Sequence, residues 1–181
     1  MKANLKFIAT MFLGGAALAS QNLFAADGTI TFNGQVTAAT CDITTSGGGK
    51  DFTVTLPTVS TASLSSANST TGRTPFSINL RNCSPASGTV HTFFESGLTT
   101  GASGNLALDS GGAPNVEIQL LNTDLSVIKA GYADASQNSR PVPITPSGTA
   151  DLNYNARYVS VQGNAGAGPA NSSVEYTIAY Q

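Results

Sequence analysis

From Gly28 onward, apolar and polar residues alternate with period two in short runs broken by Gly, Ser, Asn and Pro. Successive side chains of an extended chain point to opposite sides, so the pattern predicts strands with one buried face. Ile30, Phe32 and Val36, with Gly34 in phase, alternate with Thr29, Thr31, Asn33 and Gln35. Phe52, Val54 and Leu56 alternate with Thr53 and Thr55, and Pro57 closes the run. Phe76, Ile78 and Leu80 alternate with Ser77, Asn79 and Arg81; Val116, Ile118 and Leu120 alternate with Glu117 and Gln119. At the end, Val174, Tyr176, Ile178 and Tyr180 alternate with Glu175, Thr177 and Ala179. Shorter candidates lie at 90–94, 106–108, 127–129, 142–144 and 154–161, and 59–64 predicts one helical turn. Seven or more short strands separated by turn residues predict an all-β antiparallel sandwich, in one domain without internal repeats.

Composition narrows this reading. Leu, Ile, Val and Phe number 40 of 181 residues, about 22%, just above the level at which chains fail to build a core. Ser and Thr number 42 and Gly 19, which suits strands and turns, whereas the helix-favouring Glu, Lys and Arg are scarce. A net charge of −2 without a Lys/Arg cluster lacks the electrostatic footprint of a nucleic-acid binder, so no nucleic acid is expected as partner.

Residues 1–25 break the alternation. Lys2 and Lys6 precede an apolar run from Phe7 to Ala19, and Leu23-Phe24-Ala25 ends small, the layout of a secretory signal peptide, with cleavage placed after Ala25 and Ala17-Leu18-Ala19 and Ala26 as further acceptable sites. The run is shorter than the roughly 20 residues that span a bilayer. Its removal leaves 6 basic against 10 acidic residues, a net charge of −4.

Export decides how Cys41 and Cys83 are read. They are the only cysteines, and in an oxidising compartment one pair reads as a disulfide rather than two thiols or half a zinc site.

Little else carries chemistry. His91 is the single histidine, and no Gly-x-Ser-x-Gly elbow accompanies it, so a hydrolase triad has no basis and no catalytic residue is assigned. The glycines of 163–168 lack the Gly-x-Gly-x-x-Gly spacing of a phosphate cradle, and Asp and Glu are scattered singly. No metal site and no cofactor are expected. Asn68-Ser69-Thr70 and Asn171-Ser172-Ser173 match the glycosylation triplet, a frequent chance match in a Ser-rich chain.

The two ends stand out. A regular alternation begins almost at the mature N-terminus, and another runs to the last residues, where most domains fray. Either both strands complete one finished sandwich, or an exposed edge is satisfied by a neighbour's arm.

Together these residues resemble the pilin subunits of chaperone-usher fimbriae, most closely the type 1 fimbrial subunits. The likeness covers essentially the whole chain. It rests on the signal peptide, Gly28-Thr29-Ile30-Thr31-Phe32-Asn33-Gly34-Gln35-Val36, then Cys41, then Phe76-Ser77-Ile78-Asn79-Leu80-Arg81-Asn82-Cys83. Further on it rests on Asn115-Val116-Glu117-Ile118-Gln119-Leu120, Tyr154-Asn155-Ala156-Arg157-Tyr158, Gly168 and the penultimate Tyr180. No single element is specific, but the ordered set is.

The resemblance implies an incomplete immunoglobulin-like sandwich, the pilin fold, which lacks its last strand and is completed by a donor strand. It divides the chain into a signal peptide (1–25), a donor-strand arm (26–36) and a pilin domain (37–181). Ile30, Phe32, Gly34 and Val36 would enter the groove of the next subunit, Gly34 at a tight point where a Cβ does not fit. Gly168, Val174, Tyr176, Ile178 and Tyr180 would form the groove-side edge and the contact with a periplasmic chaperone. The partners implied are identical or related pilins, that chaperone and an outer-membrane usher. The chain would be exported to the periplasm and assembled into a fimbria on the cell surface, supporting adhesion. A fimbrial tip adhesin or carbohydrate-binding surface domain is the alternative, and an exported enzyme a distant third.

Overall fold

The computed structural model describes residues 29–45 and 48–181. The proposed signal peptide, the start of the arm and Ser46-Gly47 lie outside the described residues. The chain divides into two units, residues 1–35 and 36–181.

In the larger unit the strands are β1 (Thr40–Thr45), β2 (Thr70–Ser84), β3 (Thr89–Phe94), β4 (Leu106–Ala107), β5 (Val116–Asn122), β6 (Val127–Ile128), β7 (Val142–Pro143), β8 (Ala150–Ser160) and β9 (Tyr176–Tyr180). A 3-10 turn (Thr61–Leu64) and the single-turn helix α1 (Asp134–Gln137) are the helical elements among the described residues. One sheet runs β1-β2-β8-β5-β4, with β6 also on β5, and the other runs β7-β3-β9. All pairings are antiparallel. The two sheets pack face to face as an antiparallel β-sandwich.

The alternation read from the sequence is what fills it. In β8, Ala150, Leu152, Tyr154, Ala156 and Tyr158 are buried, while Asp151 and Asn153 are exposed. The register sets Ile78 opposite Leu152, Ile118 opposite Tyr158 and Leu120 opposite Ala156, so one face of the larger sheet is a continuous apolar surface. Val90, Phe94 and Ile178 cover it from the smaller sheet. On the outer face the opposed pair Gln119 and Arg157 is tied by two bonds, Arg157 Nη2 and Nε donating to Gln119 Oε1 at 2.6 and 3.0 Å. Cys41 and Cys83 form a disulfide, which fastens β1 to the end of β2.

Two predicted strands are absent as strands. Residues 29–39 carry no regular structure, and Ile30, Phe32 and Val36 are 80%, 88% and 100% exposed. An alternating run becomes a strand only when another backbone accepts its hydrogen bonds. The run Phe52–Leu56 likewise joins no ladder, although Phe52, Val54 and Leu56 are half-buried and Thr53 and Thr55 exposed. It is amphipathic, and ring contacts of Phe52 rather than backbone pairing hold it.

Conversely, β2 and β8 are longer than their periodic cores. β2 passes through Gly72 and Pro75, turn-forming residues that mask its start. Pro75 falls in the stretch of β2 that β1 does not reach, since β1 pairs only with residues from Ile78 onward, and one-sided stretches of sheet tolerate proline.

Candidate strand-acceptor groove

The sandwich is open along one side. A cavity of about 950 Å³ is lined by the 50–56 run, by residues 172–177 leading into β9, and by Ile78, Phe94, Leu106, Ile118, Leu120 and Ala156 of the core. Its floor is therefore the apolar core itself, which a finished sandwich covers. The charged residues of its lining are Lys50, Asp51, Glu95 and Glu175.

The 50–56 run is stapled to the fold by aromatic contacts. Phe52 lies 6.1 Å from Phe76 and 6.4 Å, edge-on, from Tyr176. Phe76 and Phe94 in turn pack on Tyr154 at 5.6 and 5.5 Å, so both sheets and the run share one aromatic chain. Thr99 donates from its hydroxyl to the Ser173 carbonyl, which ties the segment entering β9 to the loop after β3.

β9 forms the edge of its sheet. Glu95 N–H donates to the Glu175 carbonyl at 2.9 Å, and Thr89 and Gln181 exchange two backbone bonds at 2.9 and 2.8 Å. Bonded pairs alternate along an antiparallel ladder, so Glu175, Thr177, Ala179 and Gln181 direct their backbone groups to β3. Val174, Tyr176, Ile178 and Tyr180 direct theirs to the opposite side, where no strand among the described residues pairs with them. Side chains of the same four residues pack on the core. This edge combines unpaired backbone with an inward apolar face, as a strand-accepting surface requires.

Val174, Tyr176, Ile178 and Tyr180 thus lie together on one edge. Gly168 does not join them: it lies outside the cavity lining, and a Cβ there would sit 3.0 Å from the backbone of Ala113, so its glycine serves a close crossing of two loops. Ile30, Phe32, Gly34 and Val36 stand in solvent, and a Cβ on Gly34 would meet nothing within 4 Å.

The sequence reading missed Gln137, which is fully buried. Phe94 N–H donates to Gln137 Oε1 at 3.0 Å, and Gln137 Nε2 donates to the Phe94 and Tyr132 carbonyls at 2.6 and 3.0 Å. It terminates β3 at the floor of the groove. No motif marks a glutamine for that task. His91 is buried in β3 with Nε2 2.7 Å from Asp134 Oδ1, a link to α1. Its Nδ1 has no hydrogen-bond partner among the described residues. Burial pushes the Tyr176 phenol up, and the Asp51 carboxylate adds to the shift, so that hydroxyl stays protonated and donates.

The family model for FimA, the type-1 fimbrial protein A, matches residues 56–181. The chain is 48% identical over 175 residues to the major fimbrial subunit SMF-1 of Stenotrophomonas maltophilia, covering 93% of this chain and 99% of that protein. It is 45% identical over 173 residues to the F17 fimbrial protein of Escherichia coli, covering 92% and 94% respectively. A crystal structure of a type I fimbria protein of Burkholderia pseudomallei superposes with a TM-score of 0.54 at 24% identity, over 78% of this chain and 95% of that one, and so shares the fold. The chain belongs to the type-1 fimbrial protein family, as a structural subunit of a surface fimbria that assembles with related pilins and is not an enzyme.

Proposed function

We propose that this subunit polymerises by strand donation: the arm of one molecule, residues 26–36, enters the groove of the next and pairs with the free edge of β9. The observation that carries the reading is the coexistence, in one chain, of an open apolar groove with an unpaired edge and an exposed arm of matching alternation. Burying Ile30, Phe32 and Val36 contributes roughly 5 to 9 kcal/mol before ordering costs, and ladder bonds along β9 add to it. Among the described residues a Cβ on Gly34 would meet nothing within 4 Å, whereas a tight point in a neighbour's groove would demand glycine.

Before assembly the same groove needs a temporary cover, because an open core with a bare strand edge aggregates. A periplasmic chaperone lending a strand meets that need, followed by exchange at an outer-membrane usher. Residues 1–25 direct export to the periplasm. On this reading Val174, Tyr176, Ile178 and Tyr180 meet first the chaperone and then the incoming arm.

The test is to express the mature chain with and without residues 26–36 and look for multimers that survive detergent at room temperature and dissociate on heating. Ladders that require the arm support the reading. Monomers from both would remove the arm as donor and favour a binding domain.

A further inference from the structure

Asn33-Gly34 is the only Asn-Gly pair in the sequence, and it lies in exposed chain that no ladder among the described residues holds. Residues 29–38 are exposed and without regular structure. Asn33 makes no hydrogen bond to any described residue, and a Cβ on Gly34 would meet no atom within 4 Å. We propose that Asn33 of the unassembled chain is a site of spontaneous deamidation, and that this change ends the arm's ability to donate a strand. The second half rests on the strand-donation reading above.

The chemistry needs only water. The Gly34 backbone nitrogen gives its proton to solvent and attacks the side-chain carbonyl carbon of Asn33. A C–N bond forms, the amide nitrogen leaves as ammonia, and a five-membered succinimide results. Water then opens either carbonyl. Attack at the side-chain carbon restores the normal backbone with aspartate at 33; attack at the backbone carbon gives isoaspartate, whose main chain runs through the extra methylene. Glycine is the residue that hinders this attack least, because no side chain shields its nitrogen and its dihedrals are permissive.

Pairing stops the reaction. In a ladder the backbone of Asn33 and Gly34 is extended and held by hydrogen bonds, which keeps the nitrogen away from the side-chain carbon. Deamidation is therefore a clock that runs while the arm is free and stops when it is seated. Both products are poor donors. An added methylene after Phe32 puts Val36 out of phase with Ile30 and Phe32, and a phase slip moves side chains to the wrong face. Aspartate sets a carboxylate beside a groove whose charged lining is Asp51, Glu95 and Glu175 against Lys50, a like-charge approach.

The decisive comparison uses the exported chain in two forms from the same cells, unassembled and as fimbriae, separated by size and incubated at mildly alkaline pH and physiological temperature. Mass spectrometry of the peptide carrying Asn33 reads the gain of one dalton and the isoaspartate. In the unassembled form conversion at Asn33 should be about tenfold faster or more than in fimbriae. It should also outpace Asn68, Asn138 and Asn171, the Asn-Ser sites of the folded unit, and should slow in Gly34→Ala. Aged wild-type chain should fail to assemble while aged Asn33→Gln still assembles. Conversion at Asn33 no faster than at the three Asn-Ser sites would overturn the modification. Full conversion with undiminished assembly would overturn its consequence. Fast and equal conversion in both forms would uphold the modification and instead overturn seating of the arm in fimbriae.

Discussion

The Tyr176 hydroxyl donates a 2.8 Å hydrogen bond to the carbonyl oxygen of Lys50, joining the first residue of β9 to the amphipathic run that faces it along the groove. The ring beneath packs edge-on against Phe52. One tyrosine thus holds an edge strand and an unpaired segment at the opening where a further strand would lie.

Removing only the hydroxyl separates these roles. Tyr176→Phe keeps the ring on Phe52 and loses the bond to an exposed residue whose carbonyl water can satisfy, so urea denaturation should show a loss of about 0.5 to 1 kcal/mol. Tyr176→Ala also removes the ring and should lose about 2 kcal/mol or more.

A Cβ on Gly34 would meet nothing within 4 Å among the described residues, so Gly34→Leu should fold with an unchanged melting temperature. Its assembly into detergent-resistant multimers should be abolished. Normal ladders from this variant would rule out a tight seat for residue 34.

The Cys41–Cys83 disulfide closes a loop across a sequence separation of 42, for which the chain-entropy model gives on the order of 4 kcal/mol. With so lean a core that is a large share of the total. Cys41→Ser/Cys83→Ser, or the wild type in dithiothreitol, should melt about 10 °C lower by calorimetry.

Gln137→Leu tests the buried cap of β3. The variant fills similar space but leaves the Phe94 N–H unpaired at the groove floor, and should lose about 1 to 3 kcal/mol in equilibrium unfolding. The Phe94 carbonyl still accepts from Gly131 N–H at 3.1 Å, so the groups that lose their partner are the Phe94 N–H and the Tyr132 carbonyl.

Asp151 carries a small acid-side dependence. Its carboxylate accepts from Asn79 Nδ2 and Arg81 Nη1, both at 2.7 Å, and these hydrogen bonds hold its pKa below the usual carboxylate value. A pKa lowered on folding stabilises above the unfolded value, and the contribution disappears as pH falls through the folded value. Asp151→Asn should therefore flatten the stability profile on its acid limb and lower stability near neutrality. Because Arg81 and Asp151 are 39% and 52% exposed, the difference should stay under about 1 kcal/mol.

How far the sequence reaches is visible in particular segments. Around Ile118 and around Ile178, period two in the sequence is period two in burial, because alternation directly encodes which face meets the core. The disulfide was legible for a different reason: two cysteines in an exported chain leave one pairing. Phe52–Leu56 carries an equally clean alternation and yet forms no strand, since pairing needs a partner backbone that local sequence does not specify. Gln137 was illegible because its value lies in facing Phe94, 43 residues away.

The sequence by itself therefore determined the all-β class, the buried face of most strands, the disulfide and a regular alternation over residues 29–36. The tertiary structure alone decided that β9 is an edge, which of its residues present free backbone groups, and that the core opens between β9 and the 50–56 run. Side-chain periodicity is a local property of the chain. Openness of a sheet is a relation among segments far apart in sequence, and it exists only once they are packed.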